Sequence, residues 1–248
     1  ACLNYGNLKR GHRANGFTTN GGFAQYALNH INTVHQIPDS VEFNEAALIT
    51  NLGCVLYGFQ TTGGYVVGDN VAVIGPGPRG LVSVGVAMAL CANKIILSGT
   101  RDSRLEMGKK MGADRLINVK NEDAVQVVRD ETNGIGADLV IESSGSDQGI
   151  QTAIEMSKRM GKILLVGYPE KPVSANFSTM GSRNIHIFSI RGEGWANCSR
   201  AVSMLTQGRI SLKELATHTF PLDQIDDAFK TFVERIGGAV KVIVHPNA

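Results

Sequence analysis

Short apolar runs alternate with helix-like stretches from about residue 70 to residue 190, and this alternation restricts the fold more than any other feature. The runs cover residues 71–74, 95–97, 116–117, 139–141, 163–166 and 185–190. All except the last, which includes His186 and Ser189, are continuously apolar, which suits a strand covered on both faces, as in a parallel sheet. The stretches between them carry apolar residues at helical spacing, as at Leu81, Val84 and Met88. The pattern therefore predicts right-handed β–α–β units in a doubly wound parallel sheet, an α/β fold.

The two ends of the chain follow a different pattern. Residues 16–38 contain neighbouring glycines and end in the turn Pro38-Asp39, which indicates strands and loops. Near the other end, residues 196–210 and 222–236 are expected to form helices, followed by a last strand at 240–244. Both ends are thus predicted to lie outside the central sheet.

Composition argues against several classes of partner. The 24 basic and 22 acidic residues are scattered along the 248-residue chain, so no basic stripe for nucleic acid is formed. No apolar run reaches membrane-spanning length, and the four cysteines are far apart without a Cys-X-X-Cys pair. We therefore expect a cytoplasmic protein without nucleic-acid or membrane partners. The abrupt start at Ala1, without Met, indicates a truncated amino terminus.

The segment Gly75-Pro76-Gly77-Pro78-Arg79-Gly80 matches the dinucleotide-binding pattern Gly-X-Gly-X-X-Gly. It follows the predicted strand 71–74 and opens the helix that begins near Leu81, which is the context that the pattern requires. In such a loop the first glycine permits a tight turn, the second lets the backbone approach a diphosphate, and the third allows close packing of helix on strand. All six residues are predicted to bind a dinucleotide cofactor. The alternative is a structural glycine turn without a ligand.

The end of the second predicted strand bears on the choice of cofactor. An NAD site usually has Asp or Glu about 20 residues beyond the loop, to hold the ribose hydroxyls. Here that position is Gly99, and Thr100, Arg101 and Arg104 follow it. A missing carboxylate and a nearby guanidinium both favour the 2′-phosphate of NADP(H). Asp102 is the counter-candidate for a ribose contact, but NADP(H) is favoured over NAD(H).

Further motifs are spread along the whole chain. They are residues 20–26, 36–39, 45–49, 67–71, 110–114, 138–145 and 238–242. Together with the glycine-rich loop, in this order and at these spacings, they resemble the medium-chain dehydrogenase/reductase superfamily, in its zinc-type sorbitol and threonine dehydrogenase branch. The resemblance implies a Rossmann domain at residues 42–195. It also implies a GroES-like, β-rich substrate domain made from residues 1–41, with its first part missing, and from the returning segment 196–248.

The resemblance also implies zinc in the complete enzyme. The catalytic zinc ligands are expected upstream of Ala1, and Cys2 resembles the last of four structural-zinc ligands. At the position of a metal-site residue that is often acidic in this branch, the chain has Thr50, and Gln25 replaces a usual Glu. Neither Thr nor Gln is a favoured zinc ligand, so the residues of this chain make zinc binding doubtful.

Other cofactor contacts are implied by the same resemblance. They follow three predicted strands: Ser143, Ser144 and Gly145; Val166, Gly167 and Tyr168; and Ser189, Ile190 and Arg191. The first two groups would flank the adenosine and nicotinamide portions, and the third would border the nicotinamide carboxamide. The alternative for Ser143 and Ser144 is ordinary turn chemistry at a strand end.

The predicted function is oxidoreduction with a nicotinamide cofactor, by hydride transfer to or from a secondary alcohol or polyol, or its ketone. Two alternatives stay open: a zinc-independent quinone or enone reductase of the same superfamily, and a nucleotide-binding or interaction module without turnover. The strand at 185–190 is predicted to be a sheet edge, which can pair with another subunit. We therefore expect a homodimer or homotetramer.

Overall fold

The computed structural model describes residues 7–64 and 66–247 and contains two compact units. One unit is Ser40–Glu214, and the other combines the residues up to Asp39 with those from Leu215 onward. Each unit has its own sheet. None of the helices in the described ranges is both long and apolar enough to cross a membrane.

The larger unit is built on a six-stranded parallel sheet, as the sequence predicts. Its strands are β1 (Asn70–Ile74), β2 (Lys94–Gly99), β3 (Arg115–Asn118), β4 (Ala137–Glu142), β5 (Ser157–Leu165) and β6 (His186–Ser189). Their order is β3-β2-β1-β4-β5-β6, and every neighbouring pair is parallel. This is the doubly wound Rossmann order, with the reversal between β1 and β4. The predicted edge position of the last strand is also confirmed.

Helices accompany the strands of this unit. They are α1 (Phe43–Ala46), α2 (Ile49–Thr61), α3 (Pro78–Ala89), α4 (Asp102–Lys110), α5 (Ala124–Glu131), α6 (Asp147–Met156), α7 (Phe177–Arg183) and α8 (Trp195–Thr206). The side chains of Asp123 and Ser146 cap α5 and α6 by accepting from backbone amides of the first turn. The helix starts that follow β3 and β4 are therefore fixed by polar residues in the sequence.

The core of this unit lies on both faces of the sheet. The central strands β1, β2 and β4 are almost completely buried along their length. Val71, Leu97 and Val140 have no exposed surface. Burial on both faces explains why these strands are continuously apolar in the sequence, because neither face has to be polar.

The smaller unit contains a parallel pair of strands, β7 (Ala216–Pro221) and β8 (Lys241–His245), with helix α9 (Ile225–Glu234) between them in sequence. The strands predicted within residues 16–38 are wrong for the described chain. The only bridge there is an isolated one between Asn15 and Thr19, and the rest is a turn, one short 3-10 helix and irregular chain. Phe23 contacts the ring of Phe229, but other apolar side chains of this segment, such as Leu28, are strongly exposed and lack a core to pack against. An apolar segment needs such a partner to be held as a strand.

The division between the units differs from the sequence-based boundary at residue 196. Residues 196–214 group with the large sheet, because α8 packs along α2. In addition, the backbone N–H of Leu212 donates to the buried carboxylate of Glu45 at 2.6 Å. The boundary near residue 40 is close to the predicted one.

Candidate nucleotide-binding site

The glycine-rich loop joins β1 to α3 at the point where the strand order reverses. β1 ends at Ile74, and α3 begins at Pro78, with Gly77 as its N-cap residue. In a doubly wound sheet the crevice for a ligand lies at this reversal, outside the carboxyl ends of the strands. No side chain of the described residues caps the amino terminus of α3, so its first amide groups are available to an anion.

The three glycines of the loop are needed for three different reasons. Gly75 has a φ of +96°, which favours glycine. A Cβ on Gly80 would lie 1.9 Å from the carbonyl oxygen of Gly75, so the close packing of α3 on the loop requires glycine there. A Cβ on Gly77 would meet nothing within 4 Å among the described residues. The packing of the chain therefore does not explain Gly77, whereas a ligand that approaches the backbone does. The loop thus fits a dinucleotide diphosphate.

The hydroxyl of Ser143, at the carboxyl end of β4, holds the glycine-rich loop in place. It donates to the carbonyl oxygens of Ile74 at 2.8 Å and Gly75 at 2.7 Å. The hydroxyl of Ser143, a predicted cofactor residue, is therefore engaged in hydrogen bonds within the protein. Its sequence-based alternative, turn chemistry at a strand end, describes this contact well.

Glu142 is a completely buried acidic residue in the same turn. Its carboxylate accepts from the backbone N–H groups of Ser144 at 2.8 Å and Gly145 at 3.1 Å, and from the Ser144 hydroxyl. Glu142 was not among the residues predicted from the sequence. An acidic residue that ends an apolar strand and precedes Ser-Ser-Gly is the signal that could have identified it. Glu142 shapes the turn that the predicted residues 143–145 occupy.

A cleft of about 600 Å³ opens beside the loop, on the side of β2 and β3. Its lining includes five of the predicted cofactor residues, namely Gly75, Pro76, Gly99, Thr100 and Ser144, together with Ser98, Val119, Ser146, the start of α5 and residues along α6 as far as Glu155. The position after β2 is the one that contacts the adenosine ribose in this fold. The cleft is therefore the candidate adenosine site.

The end of β2 shows why glycine occupies the usual acidic position. A Cβ on Gly99 would lie 2.4 Å from Cδ of Pro76, so the proline of the glycine-rich loop fills the space of a side chain there. Asp102, the counter-candidate, accepts from the side-chain amide of Asn118 at 2.6 Å. Arg101 is exposed, and its side chain makes no hydrogen bond or ion pair within the described ranges. Arg104 lies in the first turn of α4 and is half-buried.

The loops after β5 and β6 lie on the other side of the reversal. Nη1 of Arg79 donates to the carbonyl oxygen of Val166 at 3.0 Å, and its guanidinium carbon lies 5.7 Å from the centroid of the Tyr168 ring. The Tyr168 hydroxyl donates to the carbonyl oxygen of Ile190. Arg79 thus connects the glycine-rich loop to the end of β5, and Tyr168 connects the end of β5 to the end of β6.

The other predicted residues of these loops have simpler surroundings. Gly167 packs so closely on the turn after β4 that a Cβ would lie 2.5 Å from the backbone nitrogen of Gly145. Ser189 ends β6 and is exposed, as is Arg191. The structure therefore brings Val166, Gly167, Tyr168 and Ile190 together with the glycine-rich loop, and it leaves Ser189 and Arg191 at the rim.

A buried thiol lies close to the same side of the crevice. Burial, with a further contribution from the Glu193 carboxylate, raises the pKa of Cys54 to about 11, so the thiol is protonated at neutral pH. Burial also raises the pKa of Cys198. The resulting low thiolate fraction makes Cys54 a poor nucleophile.

The residues that the sequence related to a metal site, Thr50 and Cys2, are not seen in a metal-binding arrangement within the described residues. Thr50 is exposed on the first turn of α2, and Cys2 lies outside the described residues. Within residues 7–64 and 66–247, no group of three or more His, Cys, Asp or Glu side chains is arranged to hold a metal ion.

Comparison with known proteins agrees with this geometry. The sorbitol dehydrogenase of Bacillus subtilis (strain 168) is 32% identical over 92% of the chain, and the chain spans 64% of the length of that relative. A solved protein from Sinorhizobium meliloti 1021 with NADP bound has a TM-score of 0.87 at 25% identity, covering 96% of this chain and 70% of that one. A structure from E. coli CFT073 with NADH bound, described as a short chain alcohol dehydrogenase, has a TM-score of 0.86 at 25% identity, covering 94% and 68%.

The match to a protein-family model shows which family the chain belongs to. The model described as zinc-binding dehydrogenase matches residues 78–207, which is just over half of the chain. The match starts in the glycine-rich loop and ends after α8, so it covers most of the sheet and the loops at its carboxyl ends. The chain therefore belongs to the zinc-binding dehydrogenase family, within the medium-chain dehydrogenase/reductase superfamily.

Proposed function

We propose that this chain forms the cofactor-binding part of an NAD(P)-dependent alcohol or polyol dehydrogenase. The reaction transfers a hydride between C4 of the nicotinamide and the carbinol carbon of a secondary alcohol or polyol, giving the ketone, or runs in reverse. The observation that carries the proposal is the open space at Gly77, next to the uncapped amino terminus of α3. The similarity to a sorbitol dehydrogenase supports the substrate class.

The cofactor is proposed to cross the crevice at the strand reversal. The diphosphate rests on the amides of Gly77 and the first turn of α3, where the helix dipole favours negative charge. The adenosine occupies the cleft between Pro76, Gly99 and Thr100. The nicotinamide then extends toward the ends of β5 and β6, since the two nucleosides of a dinucleotide lie on opposite sides of the reversal.

NADP(H) is proposed as the preferred cofactor. Gly99 provides no carboxylate to repel a 2′-phosphate, and the exposed guanidinium of Arg101 follows two residues later. A charge-assisted hydrogen bond contributes about 1.5–3 kcal/mol, which corresponds to a preference of roughly tenfold to a hundredfold. Relatives with NADP and with NADH bound are both known, so the preference depends on the residues of this chain.

The remaining parts of the enzyme are proposed from the family resemblance. Zinc, when bound, polarises the substrate oxygen as a Lewis acid. The residues up to Asp39 and those from Leu215 onward are proposed to belong to a GroES-like substrate domain, and residues 40–214, which include α8, to the Rossmann domain. A cytoplasmic homodimer or homotetramer is proposed, since the edge strand β6 can pair with another subunit.

Thr50 favours a second candidate function within the superfamily. An exposed threonine is no zinc ligand, and a zinc-independent quinone or enone reductase needs none. A metal assay combined with activity separates the candidates. Stoichiometric zinc with alcohol oxidation supports the dehydrogenase, and quinone or enone reduction without zinc supports the reductase. Saturable cofactor binding without turnover supports a nucleotide-binding module.

The proposal is tested by titrating the wild-type protein and Gly77→Ala with NADPH and NADH, following cofactor fluorescence. The added methyl group stands where the diphosphate approaches the backbone, so affinity should fall about tenfold or more. Gly181→Ala is the matched control, because its Cβ would also meet nothing within 4 Å in the described chain, but it lies on α7. Wild-type protein that binds neither cofactor, or equal affinity in both variants, would contradict the proposal.

A further inference from the structure

Arg79 has a place in the site that the glycine-rich pattern does not explain. It is the second residue of α3, and its guanidinium reaches from the loop after β1 to the loop after β5. There it donates to the carbonyl oxygen of Val166 at 3.0 Å and lies over the ring of Tyr168. The Tyr168 hydroxyl is in turn bound to the carbonyl oxygen of Ile190. These contacts fix a cation beside the ends of β5 and β6.

No carboxylate of the described residues lies within ion-pair distance of this guanidinium, and the Glu193 carboxylate acts with it on the same Cys54 thiol. Among the described residues, every ion pair joins other side chains, and Arg79 is in none of them. Its partners are a carbonyl oxygen and an aromatic ring, both of which leave its net charge unchanged. Its field extends to Cys54, whose pKa it lowers against the larger effect of burial. Arg79 is half-buried, so water screens it less than it would screen a surface arginine.

The position of the adenosine cleft determines what approaches this cation. The cleft lies toward β2 and β3, and the diphosphate site lies between β1 and α3. A dinucleotide that fills both must direct its second nucleoside toward β5 and β6. That nucleoside carries the nicotinamide ring, which is cationic in the oxidised cofactor and neutral in the reduced one. The electrostatic interaction of the nicotinamide ring with Arg79 therefore differs between the oxidised and the reduced cofactor.

We propose that Arg79 makes this site prefer the reduced nicotinamide cofactor over the oxidised one, an inference that rests on the proposed dehydrogenase function. The guanidinium repels the positive ring of NADP⁺ and leaves the neutral ring of NADPH unaffected. Repulsion between two neighbouring like charges in partly screened surroundings changes a binding constant by about tenfold to a hundredfold. Tighter binding of the reduced form shifts the equilibrium of the bound cofactors toward NADPH, and so toward oxidation of the alcohol.

The experiment measures the dissociation constants of NADPH, NADP⁺ and 2′-phospho-ADP-ribose, which lacks the nicotinamide ring, by calorimetry. Wild-type protein is compared with Arg79→Gln, which keeps a donor for the Val166 carbonyl but loses the charge, and with Arg79→Lys, which keeps the charge. Arg79→Met is a second neutral variant in case the first does not fold. Arg101→Gln is a control that removes a cation from the adenosine side.

In the neutral Arg79 variants, the ratio of the NADP⁺ to the NADPH dissociation constant should fall about tenfold. It should stay near the wild-type ratio in Arg79→Lys and in Arg101→Gln. Affinity for 2′-phospho-ADP-ribose should change less than about twofold in the Arg79 variants. Equal weakening of all three ligands would overturn the inference and make Arg79 a diphosphate contact, and an unchanged ratio with intact binding would also overturn it. Wild-type protein that binds none of the three would instead overturn the proposed function itself.

Discussion

The turn after β4 and the loop after β2 use their polar groups in opposite ways. In the first, the Ser143 hydroxyl and the Glu142 carboxylate are consumed by hydrogen bonds within the protein. In the second, Thr100 and Arg101 are exposed, and Arg101 has no side-chain partner in the described chain. Both border the same crevice. The first builds the shape of the site, and the second leaves groups available to a ligand.

This difference indicates which substitutions affect folding and which affect selectivity. Groups that are buried and hydrogen-bonded inside the protein are costly to change, because a partner is left unsatisfied. Exposed groups without a partner change stability little, and their effect appears only when the ligand binds. Substitutions at Gly80, Glu142, Arg101 and Cys54 test this separation, in decreasing order of their expected effect at neutral pH.

The largest effect is expected for Gly80→Ala, in the rigid part of the site. The new Cβ would lie 1.9 Å from the Gly75 carbonyl oxygen and 2.5 Å from the Ser143 hydroxyl, so the helix must move away from the loop. Overpacking against backbone should lower the free energy of unfolding by about 3 kcal/mol or more. Urea denaturation measures it, with Gly77→Ala as the control that should keep wild-type stability. Equal stability of both variants would show that the loop is not rigid.

Glu142→Gln should have the next largest effect. The carboxylate accepts from two backbone N–H groups and a hydroxyl, whereas an amide has one acceptor oxygen and would direct its NH₂ at a donor. Because the side chain is completely buried, the free energy of unfolding should fall by about 2–3 kcal/mol. Cofactor affinity should fall with it, since the turn at 143–145 loses its support. Unfolding and cofactor titration on the same sample check both, and unchanged stability would contradict the supporting role.

Arg101→Gln tests the open side of the crevice. The ratio of NADPH to NADH affinity should fall about tenfold or more, because a charge-assisted bond to the 2′-phosphate is lost. Stability should stay within about 0.5 kcal/mol of wild type, since the side chain is exposed. Arg101→Gln tests cofactor preference more directly than Gly99→Asp, because an Asp side chain at position 99 would collide with Pro76. A preference that persists in Arg101→Gln would assign the selectivity to another residue.

The smallest effect at neutral pH is that of Cys54, whose titration changes stability only above pH 9. The folded-state pKa is raised to about 11 from an ordinary value of 9.0, so folded and unfolded chains are both protonated at this thiol below pH 9. Above pH 9 the unfolded chain loses the proton first, so this contribution to stability is lost as the pH rises toward 11. Wild-type stability should therefore decline more in this range than that of Cys54→Ala. The exposed Cys91→Ala variant should follow the wild type, and parallel curves for all three would refute the effect.

Much of the site could be predicted from local sequence, and the rest depended on distant contacts. The glycine-rich loop was found because its strand, turn and helix are consecutive, so one short segment contains the whole pattern. Glu142 was missed, because its partners are backbone amides of a turn whose shape only the folded sheet provides. The link from Arg79 to Val166 was also missed, since it joins residues 87 positions apart.

The sequence alone specified the class of fold, the strands of the large sheet and the position of the dinucleotide loop. It could do so because burial on both faces leaves a continuous apolar record in every central strand. The folded arrangement alone places Pro76 in the space beside Gly99, packs α8 on α2, and sets a cation beside Tyr168. These contacts depend on the side-by-side order of strands that are separated in the chain, and the hydrophobic pattern of any one strand does not encode that order.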